Sequence, residues 1–400
     1  MDTATTGLDT KKRGVVIHLV HGTCPNGPFR KVNGTAPDVW FNPESAVCRE
    51  IAQALNRPVQ FVQFLWSGKN SFRAREEAAE QLLLNLVAMH HAKPHCDHVV
   101  LAHSHGGTVA MHAVYRMSHR TGFLTGRLPK AIICMASPFA YVTKATEPQR
   151  ELAGSALTGL LVSGLALAGL LFFPGLPPAL FWVVWFLVAP LCDVFVQVAL
   201  AFTAPDFAWD WDYDAPAPAN PLPFFLIRAT RDEAALGIGF AQGLNTFTAR
   251  LYDFMQVKAD FKHPRWTRNI ISQVVETILC LPIGILLAWL AARLSPALAA
   301  RMGDISGWLI WMACLFLGRI VWSLVTIFSY LAVCLSVGMF RVRYWGQVIV
   351  EVDAAPPQNE SRFVSVSDPE STASWGMRHG IYQLADVRAA IIDIINRLPT

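Results

Sequence analysis

Ser104 stands in the one stretch of the chain whose residue types and spacing suit covalent chemistry. Residues 97–108 read DHVVLAHSHGGT. Val99, Val100 and Leu101 form a short apolar run of the kind found in a buried strand. The turn Ala102-His103-Ser104-His105-Gly106 follows at once. Beyond Gly107, the positions Val109, Ala110, Ala113 and Val114 have helical spacing. A strand, a tight turn carrying a serine and a helix make a nucleophile elbow. Ala102 and Gly106 are small where strand and helix come closest. Such a turn lifts the Ser104 hydroxyl above the sheet edge and aims helix N–H groups at an attacked carbonyl. The chemistry is acyl transfer through an acyl-serine.

The composition narrows the setting. Of 400 residues, 53% are hydrophobic and 16% charged, against about 25% charged in an ordinary soluble domain. The net charge is +4 with no basic tract, which argues against nucleic acid as a partner. The eight cysteines show no C-x-x-C spacing and several lie in apolar runs, as reduced buried thiols do. There is no H-E-x-x-H and no Gly-rich phosphate loop, so neither metal nor cofactor is expected. Residues 1–14 run into a strand rather than a long apolar stretch, unlike a secretory signal.

Other elements must position the serine. Residues 15–20 have a buried-strand pattern, with His18 as a core residue, and lead into His21-Gly22-Thr23. Residues 59–66 form the next strand, followed by a loop at 67–71. Lys69 and Asn70 in that loop read as solvated. Residues 73–90 form a helix with Glu76, Glu77 and Glu80 on its polar side and Leu82, Leu83, Leu86 and Val87 on its buried side. Residues 131–136 are a strand after the elbow helix, ended by Ser137-Pro138-Phe139. Further strands are expected at 224–229, 347–352 and 363–366. A last helix buries Val387, Ile391, Ile394 and Ile395. The alternation predicts an α/β fold with a doubly wound, mostly parallel sheet.

These motifs resemble the α/β-hydrolase superfamily, whose elbow reads G-x-S-x-G, here with Ala102 at the first glycine. The W-S-G-x-N-S loop at 66–71, the R-x-x-A-A-x-x-L run from Arg75 and the Ser-Pro-Phe turn resemble a bacterial lipase or esterase-like branch. The resemblance covers residues 14–152, 216 to about 255, and 341–400. It implies a serine ester hydrolase without cofactor or metal. The H-G-x turn would lend the Thr23 N–H to an oxyanion hole, with the His105 N–H as second donor. The triad acid is expected in the turn after a late strand, where Asp232 matches and Glu233 is the neighbouring rival. The base is expected in a loop before the last helix, where His379 matches, with an aromatic residue, Tyr382, three positions on. Ser104, Asp232 and His379 then follow the order Ser, acid, His of this superfamily. The carboxylates of WDWDYD at 209–214 precede the strand and read as an interfacial or surface loop. A thioesterase or amidase uses the same triad. A reading from another class is a membrane scaffold or transport-associated protein that keeps the fold without turnover.

Two apolar inserts interrupt the core. Residues 153–192 carry no charge, and a Pro/Gly break at 174–178 divides a segment at 157–173 from one at 179–204 whose only charge is Asp193. This reads as a helical hairpin insert over 153–206. A second insert spans 271–340, with an apolar segment at 277–292 and another at 308–340 holding Arg319 alone. The core thus comprises 14–152, 216–270 and 341–400, the last two holding the acid and the histidine. Arg319 fits either a polar path, paired with Glu276 or Asp193, or a boundary between two helices. Each insert must return to the side it left. Arg341, Arg343, Lys258, Lys262, Arg265 and Arg268 flank the crossings on the catalytic side, against Arg293 and Arg301 opposite. The expectation is a bacterial inner-membrane protein with a cytoplasmic catalytic domain and a lipid or other membrane ester as substrate. The sequence gives no oligomeric state.

Overall fold

The computed structural model describes residues 13–24, 34–35, 39–119, 129–144, 147–172, 222–229, 305–336, 348–356, 360–366 and 380–399, with scattered positions among 177–196, 239–243, 282–293 and 338. Six strands form the main sheet: β1 (Val15–Val20), β2 (Val59–Phe64), β3 (Asp97–His103), β4 (Ala131–Met135), β6 (Pro223–Ala229) and β8 (Glu360–Val366). Their order is β2-β1-β3-β4-β6-β8, and every pairing is parallel. β1, β3 and β4 are buried at every residue. That is why they read as unbroken apolar runs: a parallel sheet is covered on both faces. Ile17, Leu19, Val99, Leu101 and Ile133 face one cluster with α1 (Ala46–Ala54) and α6 (Ala385–Asn396). Val20, Val100, Ala102, Ile132 and Cys134 face the other, with α2 (Phe72–Ala92) and α3 (His105–His119). Helices on both faces make the doubly wound α/β layer structure expected from the sequence.

The strand expected at 347–352 forms, outside the main sheet. It is β7 (Val348–Asp353), and it pairs antiparallel with β5 (Phe139–Lys144) in a separate ribbon, from Phe139↔Asp353 to Lys144↔Val348. The Tyr141 hydroxyl donates to Asp353 at 2.5 Å. The ribbon is pinned to α3: Thr108 Oγ1 donates to the Pro138 carbonyl at 2.7 Å, and His112 Nε2 meets the Ala140 carbonyl at 3.1 Å. Glu76 is not on a solvated face as the sequence suggests. It pairs with His112 and Arg116, joining α2 to α3.

A helical layer lies beside this core. α4 (Glu147–Phe172) and α5 (Ile305–Ser336) pack antiparallel. Gly159 meets Arg319 and Ser323, and further along α4 Val162 and Ala166 join Met312 and Phe316. α5 runs without a break through Arg319, so that residue does not divide two helices. Among the described residues one helix, at Trp311–Ala332, is long and apolar enough to cross a membrane, and Ala156–Gly169 is a shorter apolar helix. Two complete hairpins are therefore not shown. Most of 179–204 and the start of the 277–292 segment lie outside the described residues, as do Asp193 and Glu276. Helical residues 282–290 are described, and Gly284 packs directly on the α5 backbone at Cys314 and Leu315.

Two histidines sit inside the sheet. His98 Nε2 meets the Lys93 carbonyl at 3.2 Å, which only accepts, so His98 Nδ1 accepts from His18 Nε2 at 3.1 Å. Both rings are held neutral. Burial, helped by His98, pushes His18 down to about 4 from 6.5. The unfolded chain therefore binds the proton first, and stability falls as pH drops from about 6.5 towards 4. The His18 shift alone corresponds to about 3 kcal/mol across that window. His18→Gln, whose amide donates without titrating, should flatten this dependence in denaturant melts at pH 7.5 and 5 in one detergent. Parallel losses in wild type and variant would overturn the assignment.

Candidate active site

The site is built at the carboxyl ends of β1, β3 and β4. Ser104 follows β3 directly and has φ 55. For a residue with a side chain this left-handed conformation is strained. Its N–H donates to the Met135 carbonyl at 2.9 Å, and its carbonyl accepts from the Gly107 N–H at 2.9 Å. The glycines around it leave no room for a side chain. A Cβ at Gly106 would lie 2.5 Å from the Val20 carbonyl oxygen, and one at Gly107 would lie 2.5 Å from Ser137 Cβ. A Cβ at Gly22 would lie 2.6 Å from Ser104 Cβ. The turn expected between Ala102 and Gly106 is thus present.

Backbone strain concentrates at this edge. Among the described residues, the non-glycine positions with positive φ are Cys24 (47), Ser104 (55) and Ala136 (47). They follow β1, β3 and β4, three strands adjacent in the sheet. Strain of this kind persists where surrounding contacts impose it, and it clusters at functional sites.

Of the two expected oxyanion donors, His105 directly follows Ser104, and Thr23 follows Gly22, which packs against Ser104 Cβ. His105 opens α3, where helix N–H groups point out of the helix end. Thr23 lies in the turn between His21 and Cys24. His21 is fully committed: its Nδ1 donates to the Gly22 carbonyl at 2.8 Å, and its Nε2 accepts from the Trp66 N–H at 3.3 Å. Burial pushes His21 down to about 4. A neutral ring with both nitrogens engaged holds the turn and does not serve as the base. The turn closes with Cys24 N–H donating to the Gly68 carbonyl at 2.8 Å.

Asp232, Glu233, His379 and the 209–214 stretch lie outside the described residues. The elements leading to the expected acid and base are described. β6 ends at Ala229, three residues before Asp232, one strand beyond β4 and parallel to it. The chain resumes at Gly380, one residue after His379. Tyr382 then stacks on Trp40 with centroids 5.6 Å apart and meets His103 edge-on at 5.2 Å. His103 also meets Trp40 at 6.0 Å. This aromatic cluster, not evident from the sequence pattern, seats the segment after His379 against the residue before Ser104. Among the described residues, no group of three or more His, Cys, Asp or Glu could hold a metal.

The elbow geometry has a consequence for stability that needs no substrate. Ser104→Gly removes the left-handed strain and Ser104→Ala keeps it. The glycine variant should be the more stable of the two by about 1 kcal/mol in denaturant melts. Equal stabilities, or a more stable alanine variant, would show that Ser104 is not strained.

No protein-family model and no curated relative matches the chain. Among solved structures, similarity is found to the RedJ thioesterase of the prodiginine biosynthetic pathway in Streptomyces coelicolor. The identity is 16%, with 55% of this chain and 71% of that one covered, at a TM-score of 0.23. ClbQ from the colibactin NRPS/PKS pathway has 14% identity, with coverages of 55% and 77% and a TM-score of 0.24. At such TM-scores neither fold nor activity transfers.

Proposed function

We propose that the chain is a membrane-associated serine hydrolase that cleaves lipid esters through an acyl-Ser104 intermediate. The observation that carries this reading is Ser104 at φ 55 in a strand–turn–helix elbow, on the carboxyl edge of a parallel sheet. A serine with a purely structural role gains nothing from that conformation, which glycine adopts without strain. A nucleophile gains exposure to substrate and proximity to helix N–H groups.

In the proposed reaction His379 Nε2 takes the Ser104 proton as Oγ bonds to the acyl carbon. Asp232 fixes the imidazole tautomer and balances the imidazolium. The N–H groups of Thr23 and His105 hold the tetrahedral oxyanion. Collapse breaks the bond to the leaving oxygen, which receives the proton from His379. Water then cleaves the acyl-serine by the same steps in reverse.

The polarity of the helical layer supports a bilayer as its surroundings. Its interior holds polar side chains beside the apolar cluster: Arg319, Thr158, Ser163 and Ser323 are 2% exposed or less. Its outside is apolar: Leu161, Leu165, Trp289, Trp311, Leu317 and Phe328 are 40–63% exposed. Leaving six such side chains in water forgoes about 10 kcal/mol, the size of a whole domain's stability. In lipid the same arrangement is the ordinary one, with small and polar residues between helices and apolar residues facing out. An active site beside such a layer meets acyl lipids first. The basic residues flanking the inserts favour the cytoplasmic side of a bacterial inner membrane for the catalytic core.

Fluorophosphonate labelling of the full chain in detergent should mark the wild type strongly. It should not mark Ser104→Ala or His379→Ala. Asp232→Asn should lower turnover by about 10³-fold or more. In liposomes the wild type should hydrolyse long-chain acyl glycerolipids faster than short soluble esters. Absence of labelling in both detergent and liposomes would overturn the hydrolase reading. Preference for short esters with no turnover of lipid would overturn the substrate assignment.

A further inference from the structure

The helical layer touches the catalytic core at a second place besides the β5–β7 ribbon. Gly338, two residues past the end of α5, is buried and has φ 69. A Cβ there would lie 2.0 Å from the Asn70 carbonyl oxygen and 2.7 Å from the Ser71 nitrogen. Backbone meets backbone with no side chain between them. Asn70, which the sequence places in a solvated loop, is instead gripped from both sides. Its Oδ1 accepts from buried Arg75 at 3.0 Å. The adjacent Ser71 N–H donates to Lys69 at 2.8 Å, and the Ser71 carbonyl accepts from the Arg75 N–H at 3.1 Å.

The other end of the same loop holds the turn that carries Thr23. Trp66 Nε1 donates to the His21 carbonyl at 2.8 Å, and the Trp66 N–H donates to His21 Nε2. The Gly68 carbonyl accepts from the Cys24 N–H at 2.8 Å, with Gly68 at φ 61. Thr23 lies between these two attachments. A run of contacts thus extends from the end of α5 through residues 66–71 to both sides of Thr23, backbone to backbone at Gly338 and Gly68 and through the Trp66 and His21 side chains.

We infer that loop 66–71 is a positioning brace that carries the seating of α5 to the Thr23 N–H. The inference rests on the serine-hydrolase reading and adds to it a dependence of the oxyanion hole on the helical layer. Donors stabilise an oxyanion only at about 2.7–3.1 Å. Close-packed contacts pass on small displacements, and the two side chains in this path, Trp66 and His21, are buried rings held by hydrogen bonds. A shift of α5 therefore weakens binding of the transition state and leaves binding of the ground state alone. Its kinetic signature is in kcat, not KM.

The test uses the full chain in detergent with a soluble p-nitrophenyl acyl ester, and Ser104→Ala as the blank. Gly338→Ala should lower kcat tenfold or more with KM within about twofold. Gly164→Ala and Gly169→Ala add the same methyl to the helical layer where it meets nothing within 4 Å. They should behave as wild type. Gly68→Ala strains the brace from the loop side and should reproduce the Gly338→Ala signature. Hydrogen exchange gives a readout independent of turnover: in Gly338→Ala the peptide carrying the Cys24 amide should exchange faster while β3 stays protected. Wild-type kcat and exchange in Gly338→Ala would overturn the brace and leave the hydrolase reading standing. So would a kcat loss accompanied by faster exchange throughout the sheet, which marks general destabilisation. A wild type with no turnover above the Ser104→Ala blank would overturn the hydrolase reading, and the brace with it.

Discussion

The start of α3 passes so close to the end of β1 that only glycine fits between them, and much of the architecture follows from that contact. β1 and β3 are neighbours in parallel register, Val20 opposite Ala102. A helix that begins directly after β3 must cross the carboxyl end of β1 in its first turn, where a Cβ on Gly106 would lie 2.5 Å from the Val20 carbonyl and 2.7 Å from that of His21. The chain reaches this position only if the residue before the helix turns through the left-handed region, and that residue is Ser104. β4 supplies the opposing restraint by accepting the Ser104 N–H at Met135. Three strands must hold their register for the strain to persist, because a slip of one residue turns every side chain to the other face. The two apolar clusters that sandwich β1, β3 and β4 are what resist that slip.

The inserts use the fold with similar economy. The chain leaves the sheet after β4, runs along β5 into α4, and returns for β6. It leaves again after β6, passes through α5, and comes back along β7 before β8. β5 and β7 pair with each other, so the way into the first insert and the way out of the second form one ribbon. That ribbon is fastened to α3 through Thr108 and His112, on the helix that starts directly after Ser104. Strands β4, β6 and β8 are adjacent in the sheet although both excursions separate them along the chain.

What was legible in the sequence follows from these constraints. β1, β3 and β4 announce themselves because strands covered on both faces carry long apolar runs, and β6 does so through its run of Phe224, Phe225, Leu226 and Ile227. The elbow is legible because the close approach permits few residue types at 102 and 106. α1 is not legible: nine residues with only Cys48 and Ile51 buried make too short a stripe. The β5–β7 pairing is hidden because the partners are separated by two inserts and neither strand shows a pattern that excludes the main sheet. Asn70 and Arg75 look solvated by type. The packing of Gly338 on the Asn70 backbone comes from far along the chain, which no local pattern reveals. Cys24 and Ala136 give no sign of their positive φ, since that conformation is imposed by the strand ends beside Ser104. The acid and the base were read from family resemblance alone, and their own positions fall outside the described residues.

The polar seam inside the helical layer bears on how firmly α5 is held. An apolar helix among apolar neighbours rotates about its axis at little cost, because one leucine face resembles another. α5 instead presents Met312, Phe316, Arg319, Ser323 and Thr326 at alternating spacings of four and three, all buried. α4 meets them with Ala156, Gly159, Ser163 and Ala166, small residues at matching intervals. Rotation of α5 by one position would turn the Arg319 guanidinium away from the gap at Gly159 and into apolar surroundings. Desolvating a charge there costs several kcal/mol. The buried arginine thereby opposes rotation of the 32-residue helix, together with the packing of Met312 and Phe316 on Val162 and Ala166. Gly338 follows that helix by two residues and packs on the backbone of Asn70, so resistance to rotation of α5 also bears on the seating of loop 66–71.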